Sequence, residues 1–209
     1  MVELIDNTLQ FSVTLIACVG AGILYSKSRE QAYFLLTCFL GTFSLGTLYW
    51  TLHVLLFNYS PQVFYVSELT WIASYLFLLT LEHVLSTPEE RKFKHPAVWL
   101  VPIICIPQLG LYLTHGDILF NLLICGQTMA AAWYSVRGLL YARRQSGKPR
   151  DRQFFHIAVL SIITLEYCLW TTSCFWVSDT LTNPYFWFDF LLTAALFMLL
   201  PATRKAVEG

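Results

Sequence analysis

Apolar residues run along this chain in seven long stretches, separated by short polar breaks. The stretches cover roughly 8–26, 31–57, 62–85, 96–114, 117–141, 153–178 and 182–201. About 20 apolar residues carry a helix across the hydrocarbon core of a bilayer, so the pattern predicts seven transmembrane helices. The breaks hold turn-forming residues: Asn58 and Pro61, Pro88, Gly116, Gly147 and Pro149, then Asn183 and Pro184. The predicted fold is an all-α membrane protein forming one transmembrane domain over residues 1–209.

Composition agrees with this. The chain is 56% hydrophobic and only 12% charged, where soluble domains carry roughly 25% charged residues. Its mean hydropathy is +0.58. The start, MVELIDNTLQ, has no basic region ahead of the first apolar run, so that run is expected to be a retained span.

The distribution of charge sets an orientation. Lys27 and Arg29 lie in the first break; Arg91, Lys92 and Lys94 in the third. Arg143, Arg144, Lys148, Arg150 and Arg152 lie in the fifth, Arg204 and Lys205 follow the last stretch, and Arg137 is near the same end. The second, fourth and sixth breaks hold no lysine or arginine. Acids mark the other side: Asp117, Asp179, and Glu3 and Asp6 at the N-terminus. Basic loops stay cytoplasmic, so the expected topology is N-terminus outside and C-terminus in the cytoplasm, in a plasma (inner) membrane. The sequon Asn58-Tyr59-Ser60 falls on the outer side, followed by Pro61 and close to the membrane.

An internal repeat is visible at a shift of about 121 residues. Arg29-Glu30 matches Arg150-Asp151, Tyr33-Phe34 matches Phe154-Phe155, and Tyr49 matches Trp170. Thr51 matches Thr172, Tyr65 matches Phe186, and Glu68 matches Asp189. The repeats, 8–85 and 117–201, run parallel and are joined by the fourth helix, where Pro102 and Pro107 can introduce kinks. This three-plus-one-plus-three layout resembles that of SWEET sugar transporters, PQ-loop transporters and nicotinamide-riboside uptake proteins. The resemblance is architectural. Pro61-Gln62 and Pro107-Gln108 both lie outside the first helix of a repeat, where PQ-loop proteins place their pair, so only the layout is implied. The seven-span layout also resembles microbial rhodopsins, but the last apolar stretch has no lysine for a retinal Schiff base, Lys205 lying beyond its cytoplasmic end.

Intramembrane carboxylates are costly and usually face a bundle interior or a wet cavity. Glu68 lies about two turns inside the third helix and Asp189 at a comparable depth in the seventh. Tyr49 and His53 share a helix face, as do Glu166 and Trp170, at a spacing of four. With Trp50, Trp71 and Tyr75 these residues outline an expected ligand pocket in the outer half, between the second, third, sixth and seventh helices. Acids and aromatic rings suit a cationic or amphipathic organic ligand. Glu68, Tyr75 and Glu82 recur every seven residues along one face, and Glu82 with Arg137 is expected to form an ion pair that gates the cytoplasmic side. Trp176, Tyr185 and Trp187 read as an outer aromatic belt.

The expected function is a small-solute transporter. The alternative is a seven-helix sensor or receptor that signals through a membrane or cytoplasmic protein partner; a structural subunit of a membrane complex is a third reading. The partners expected are the lipid bilayer and a small-molecule ligand, with no nucleic acid. No catalytic motif is present, and no cofactor or metal is expected. The six cysteines all fall within apolar runs without CxxC spacing and read as small buried hydrophobes.

Overall fold

A computed structural model of the chain describes residues 1–59, 61 and 65–209. Ser60 of the sequon, Gln62 and the expected start of the third helix lie outside the described residues. Helices form where the apolar runs predict them: α1 (Val2–Ser28), α2 (Gln31–Phe57), α3 (Tyr65–Leu85), α5 (Leu100–Tyr112), α6 (Ile118–Ala142), α8 (Gln153–Ser173) and α9 (Pro184–Glu208). Two short helices join them, α4 (Pro88–Lys92) and α7 (Lys148–Asp151), and a 3-10 turn at Pro96–Trp99 leads into α5. Among the described residues there is no strand.

Among the described residues, five helices, α1, α2, α6, α8 and α9, are long and apolar enough to cross a membrane. That is fewer than the seven spans expected. α3 carries Glu68 and Glu82 within its 21 residues, and Pro96–Tyr112 is a shorter apolar helix. The side chains are distributed as a membrane protein requires. Leu15, Ile16, Leu45, Leu76, Ile103 and Met198 point outward, while Thr14, Ser44, Thr47, Ser74, Thr128 and Thr193 are buried. Hydrocarbon outside rewards that inversion, because a polar group there has no partner.

Three boundaries differ from the sequence pattern. The first helix begins at Val2, not near residue 8, because Asp6 and Gln10 turn inward and stay buried. Its first turn gains a distant cap, since the Glu3 amide donates to the Asp179 carboxylate at 2.8 Å. The sixth helix stops at Ser173, not 178. The following loop is held by the Asn183 amide donating to the Ser178 carbonyl at 2.9 Å and by the Trp187 indole donating to the Leu181 carbonyl at 2.9 Å. The last helix continues past 201 to Glu208. Pro201 removes one helical bond, but Arg204 donates to Glu208 one turn on at 2.9 and 3.0 Å.

The breaks close by ordinary capping chemistry. Asn58 adopts the left-handed conformation (φ 60°) at the end of α2, where its amide reaches the Val54 carbonyl. Asp117 and Asn183 accept amide hydrogens at the starts of α6 and α9. Thr87 does the same for α4, whose first residue is Pro88.

The long helices close into a ring in the order α1, α2, α3, α6, α8, α9 and back to α1, with α5 outside against α6 and α8. Phe39, Leu78, Ile124, Phe155, Ile162 and Leu196 fill the centre and are fully buried. One end of the ring carries the basic loops; the other carries the loops around 113–117 and 174–183, and there the interior is open.

Gly46 sets how closely α2 approaches α3. A Cβ at this position would lie 2.5 Å from Thr70 Oγ1 and 2.8 Å from Trp71 Nε1. Gly46→Ala is therefore expected to cost about 1–3 kcal/mol. Gly110, on the exposed side of α5, has nothing within 4 Å, and Gly110→Ala is expected to gain about 0.5–1 kcal/mol. Thermal melts in detergent that move in these opposite directions would check both.

Candidate functional site: an acidic, aromatic cavity

The open end of the ring encloses a cavity of about 560 Å3. That is within the usual range for small-molecule sites, roughly 300–1,000 Å3. α1, α2, α3, α6, α8 and α9 all line it, together with the two loops at that end. One turn deeper along the helices, Phe39, Leu78, Ile162 and Leu196 close the interior without a gap for solvent.

Seven of the nine residues singled out in the sequence line this cavity: Trp50, Glu68, Trp71, Tyr75, Glu166, Trp170 and Asp189. Tyr49 and His53 do not. Trp50 takes the inward position on α2, and Tyr49 is turned about 100° around the helix. The His53 ring goes to a separate aromatic group, 4.8 Å from Phe57 and 5.2 Å from Tyr59.

At the floor, the Tyr75 hydroxyl donates to Glu166 Oε1 at 2.6 Å. Both side chains are buried, so this bond satisfies a carboxylate that water barely reaches. On the α9 side, Gln10 donates to Asp189, and Thr47 donates to Gln10 Oε1 at 3.3 Å. Asp6, fully buried, lies against Asp189. Glu68 has a different acidic neighbour, Asp117. Glu68 and Asp189 thus share one cavity but are not partners; each stands beside an acid of its own.

The walls are aromatic. Trp50 and Trp71 lie 6.1 Å apart, and the Trp50 indole donates to Glu3 Oε1 at 2.9 Å. Trp170 meets Tyr112 edge-on at 5.7 Å. Tyr112 is fixed by the Tyr167 carbonyl and by Thr171, both at 2.9 Å, and Asn121 donates to its backbone carbonyl. Tyr185 and Trp176, read from sequence as belt residues, also line the cavity; Trp187 is exposed beside the loop.

The electrostatics are one-sided. Glu3, Glu68, Asp117, Glu166, Asp179 and Asp189 line the cavity, with no lysine or arginine among the described lining residues and His115 the one histidine. Among the described residues no three His, Cys, Asp or Glu side chains are grouped to hold a metal ion.

No protein-family model, curated protein or solved structure matches the chain. The functional reading therefore rests on the geometry alone.

The contribution of α1 escaped the sequence reading, which placed Asp6 outside the membrane and began the helix after it. A signal was present: Asp6, Gln10, Thr14, Ala17 and Ala21 recur at helical spacing and are all buried.

The expected Glu82–Arg137 ion pair does not form. Glu82 accepts a hydrogen bond from Ser135 and lies 3.4 Å from His156. Arg137 donates to the Arg91 carbonyl at 3.1 Å and lies over the Tyr134 ring, 4.9 Å from its centroid. Similar depth on two helices did not fix their rotation, and each residue met a nearer partner.

Tyr75→Phe leaves Glu166 buried without its donor and is expected to cost about 1–3 kcal/mol. Tyr75→Phe combined with Glu166→Leu is expected to recover most of that loss, as a double-mutant cycle on the detergent-solubilised protein would show.

Proposed function

We propose that this protein is a seven-span membrane transporter for small organic cations, oriented with its N-terminus outside, its C-terminus in the cytoplasm and its cavity facing outward. The observation that carries this reading is the cavity lining: among the described residues, six acids, no lysine or arginine, and tryptophan and tyrosine rings between them. A cation gains from the acids by charge and from the ring faces by cation–π attraction. An anion would meet mostly like charge, since the N-terminal ammonium is already paired with Asp179.

Two further observations support the transporter architecture. α3 and the shorter apolar segment Pro96–Tyr112 lie between the five candidate spans; counted as spans they would give seven, with the basic loops on one side. The ring also pairs two groups of three helices. α1–α2–α3 meets α6–α8–α9 through the contacts α3 with α6 and α1 with α9. If α1 corresponds to α6, α2 to α8 and α3 to α9, these two contacts are equivalent, as a parallel repeat joined by α5 requires. A cavity between the halves, closed at the far end by a packed core, suits one state of an alternating-access cycle.

Tetraethylammonium is a suitable probe. Isothermal titration calorimetry on the purified protein is expected to show its binding, and proteoliposomes are expected to take it up. Glu68→Gln and Asp189→Asn should abolish both while leaving the helical spectrum unchanged, and Trp170→Ala should weaken binding about tenfold. Unchanged affinity in Glu68→Gln would remove that residue from the site. Binding without flux would favour a receptor.

A further inference from the structure

The basic end of the ring holds a second polar cluster, remote from the cavity. His156, in the first turn of α8, is 1% exposed. Its two ring nitrogens face two different carboxylates. Nδ1 lies 3.4 Å from Glu82 Oε2 on α3, and Nε2 lies 3.7 Å from Glu90 Oε1 on α4. Glu82 is fully buried and Glu90 is 2% exposed. Ser135 of α6 donates to the other Glu82 oxygen. Arg152 approaches the other Glu90 oxygen at 4.0 Å, and Arg137 stands nearby on α6.

The backbone makes room for this ring. A Cβ on residue 138 would collide with His156 Cε1 and Nε2 and lie 2.7 Å from Glu90 Oε1. Glycine at 138 is what lets the imidazole cross α6 and reach both acids.

Donor counting shows what the arrangement requires. A neutral imidazole has one N–H and one lone pair. Between two carboxylates it can satisfy one, and its lone pair then faces the oxygen of the other. A ring with a proton on each nitrogen satisfies both. Its charge and that of Arg152 offset the two carboxylates, with Arg137 adding a further positive charge. The nitrogens face apart and do not converge, so the geometry suits a proton and not a metal ion. Burial pushes the Glu90 carboxyl up; His156 opposes that, Glu82 adds to it, and Arg152 and Arg137 oppose it too.

We propose that His156, Glu82 and Glu90 form a binding site for a single proton, which latches α8 to α3 and α4 and holds the basic end of the ring closed. With the proton bound, the imidazolium bridges both acids. When it leaves to water, one bridge becomes a contact between a lone pair and a carboxylate, and that contact opens. The latch is therefore engaged at low pH and released as pH rises. The cluster involves no ligand in the cavity, so it stands or falls separately from the cation reading.

The test uses the full chain in lipid nanodiscs, labelled with 15N on its five histidines. At pH 7 one histidine is expected to carry protons on both ring nitrogens, and that signal is expected to vanish in His156→Asn. A spectrum at pH 7 in which all five rings are neutral would overturn the proposal, and this result needs no variant to fold. The closure is read by maleimide labelling of Ala142→Cys, a position buried at the same end of α6, in a chain whose six native cysteines are replaced by serine. Labelling, corrected for thiol ionisation, is expected to be slow at pH 6. It should rise about tenfold at pH 9, in Glu90→Gln, and in Gly138→Ala, which displaces the ring but keeps every charge. A doubly protonated His156 with labelling indifferent to pH and to both substitutions would reduce the cluster to a static pin and end the latch proposal.

Discussion

The hydrogen bond from Tyr75 to Glu166 ties α3 to α8 across the interior of the ring, at the level where the open cavity gives way to the packed core. A carboxylate at that depth cannot be left to itself. With no competing water, losing its donor costs more than forming the bond gains. Above it the interior stays polar and acidic: Gln10 donates to Asp189, and the cavity opens to solvent at the end of the ring. Below it, Leu78, Ile162 and Leu196 exclude water entirely. Tyr75 also meets Phe39 edge-on at 6.3 Å, so the same side chain ties α2 into the floor.

Much of this was legible in the residues. Hydropathy located the long helices, because crossing a bilayer imposes a length. Asn58, Pro88, Gly116 and Asn183 marked the turns by chemistry that needs no tertiary information. The acids and rings of the cavity stood out because an intramembrane carboxylate is expensive wherever it points. The missing part was rotation about each helix axis. Tyr49 and Trp50 are adjacent in sequence, yet one lines the cavity and the other does not. Glu82 and Arg137 share a depth and still pair with other groups. Hydropathy also hid Asp6, since a polar residue at a helix end reads as loop even when it turns inward. His156 was overlooked within its apolar surroundings, and only the crossing over Gly138 shows why it is there.

The cavity and the histidine cluster handle buried charge in opposite ways. In the cavity, acids accumulate with no lysine or arginine among the described lining residues, which leaves a demand for positive charge that an outside molecule can meet. In the cluster, arginines and a histidine surround the acids, and the demand is met internally except for one proton. The same chain therefore holds an unbalanced site at one end and a nearly balanced one at the other, with a dry apolar layer between them.

The placement of the tryptophans has a consequence of its own. Trp50, Trp71, Trp170 and Trp176, four of the seven, line the cavity. Trp99 and Trp133 form a separate pair 5.2 Å apart on α6 and the turn before α5. The intrinsic emission of the protein is therefore weighted toward the space where a solute would sit, while the Trp99–Trp133 pair supplies an emitter remote from it. The molecule carries its own optical gauge of how wet or how full that cavity is.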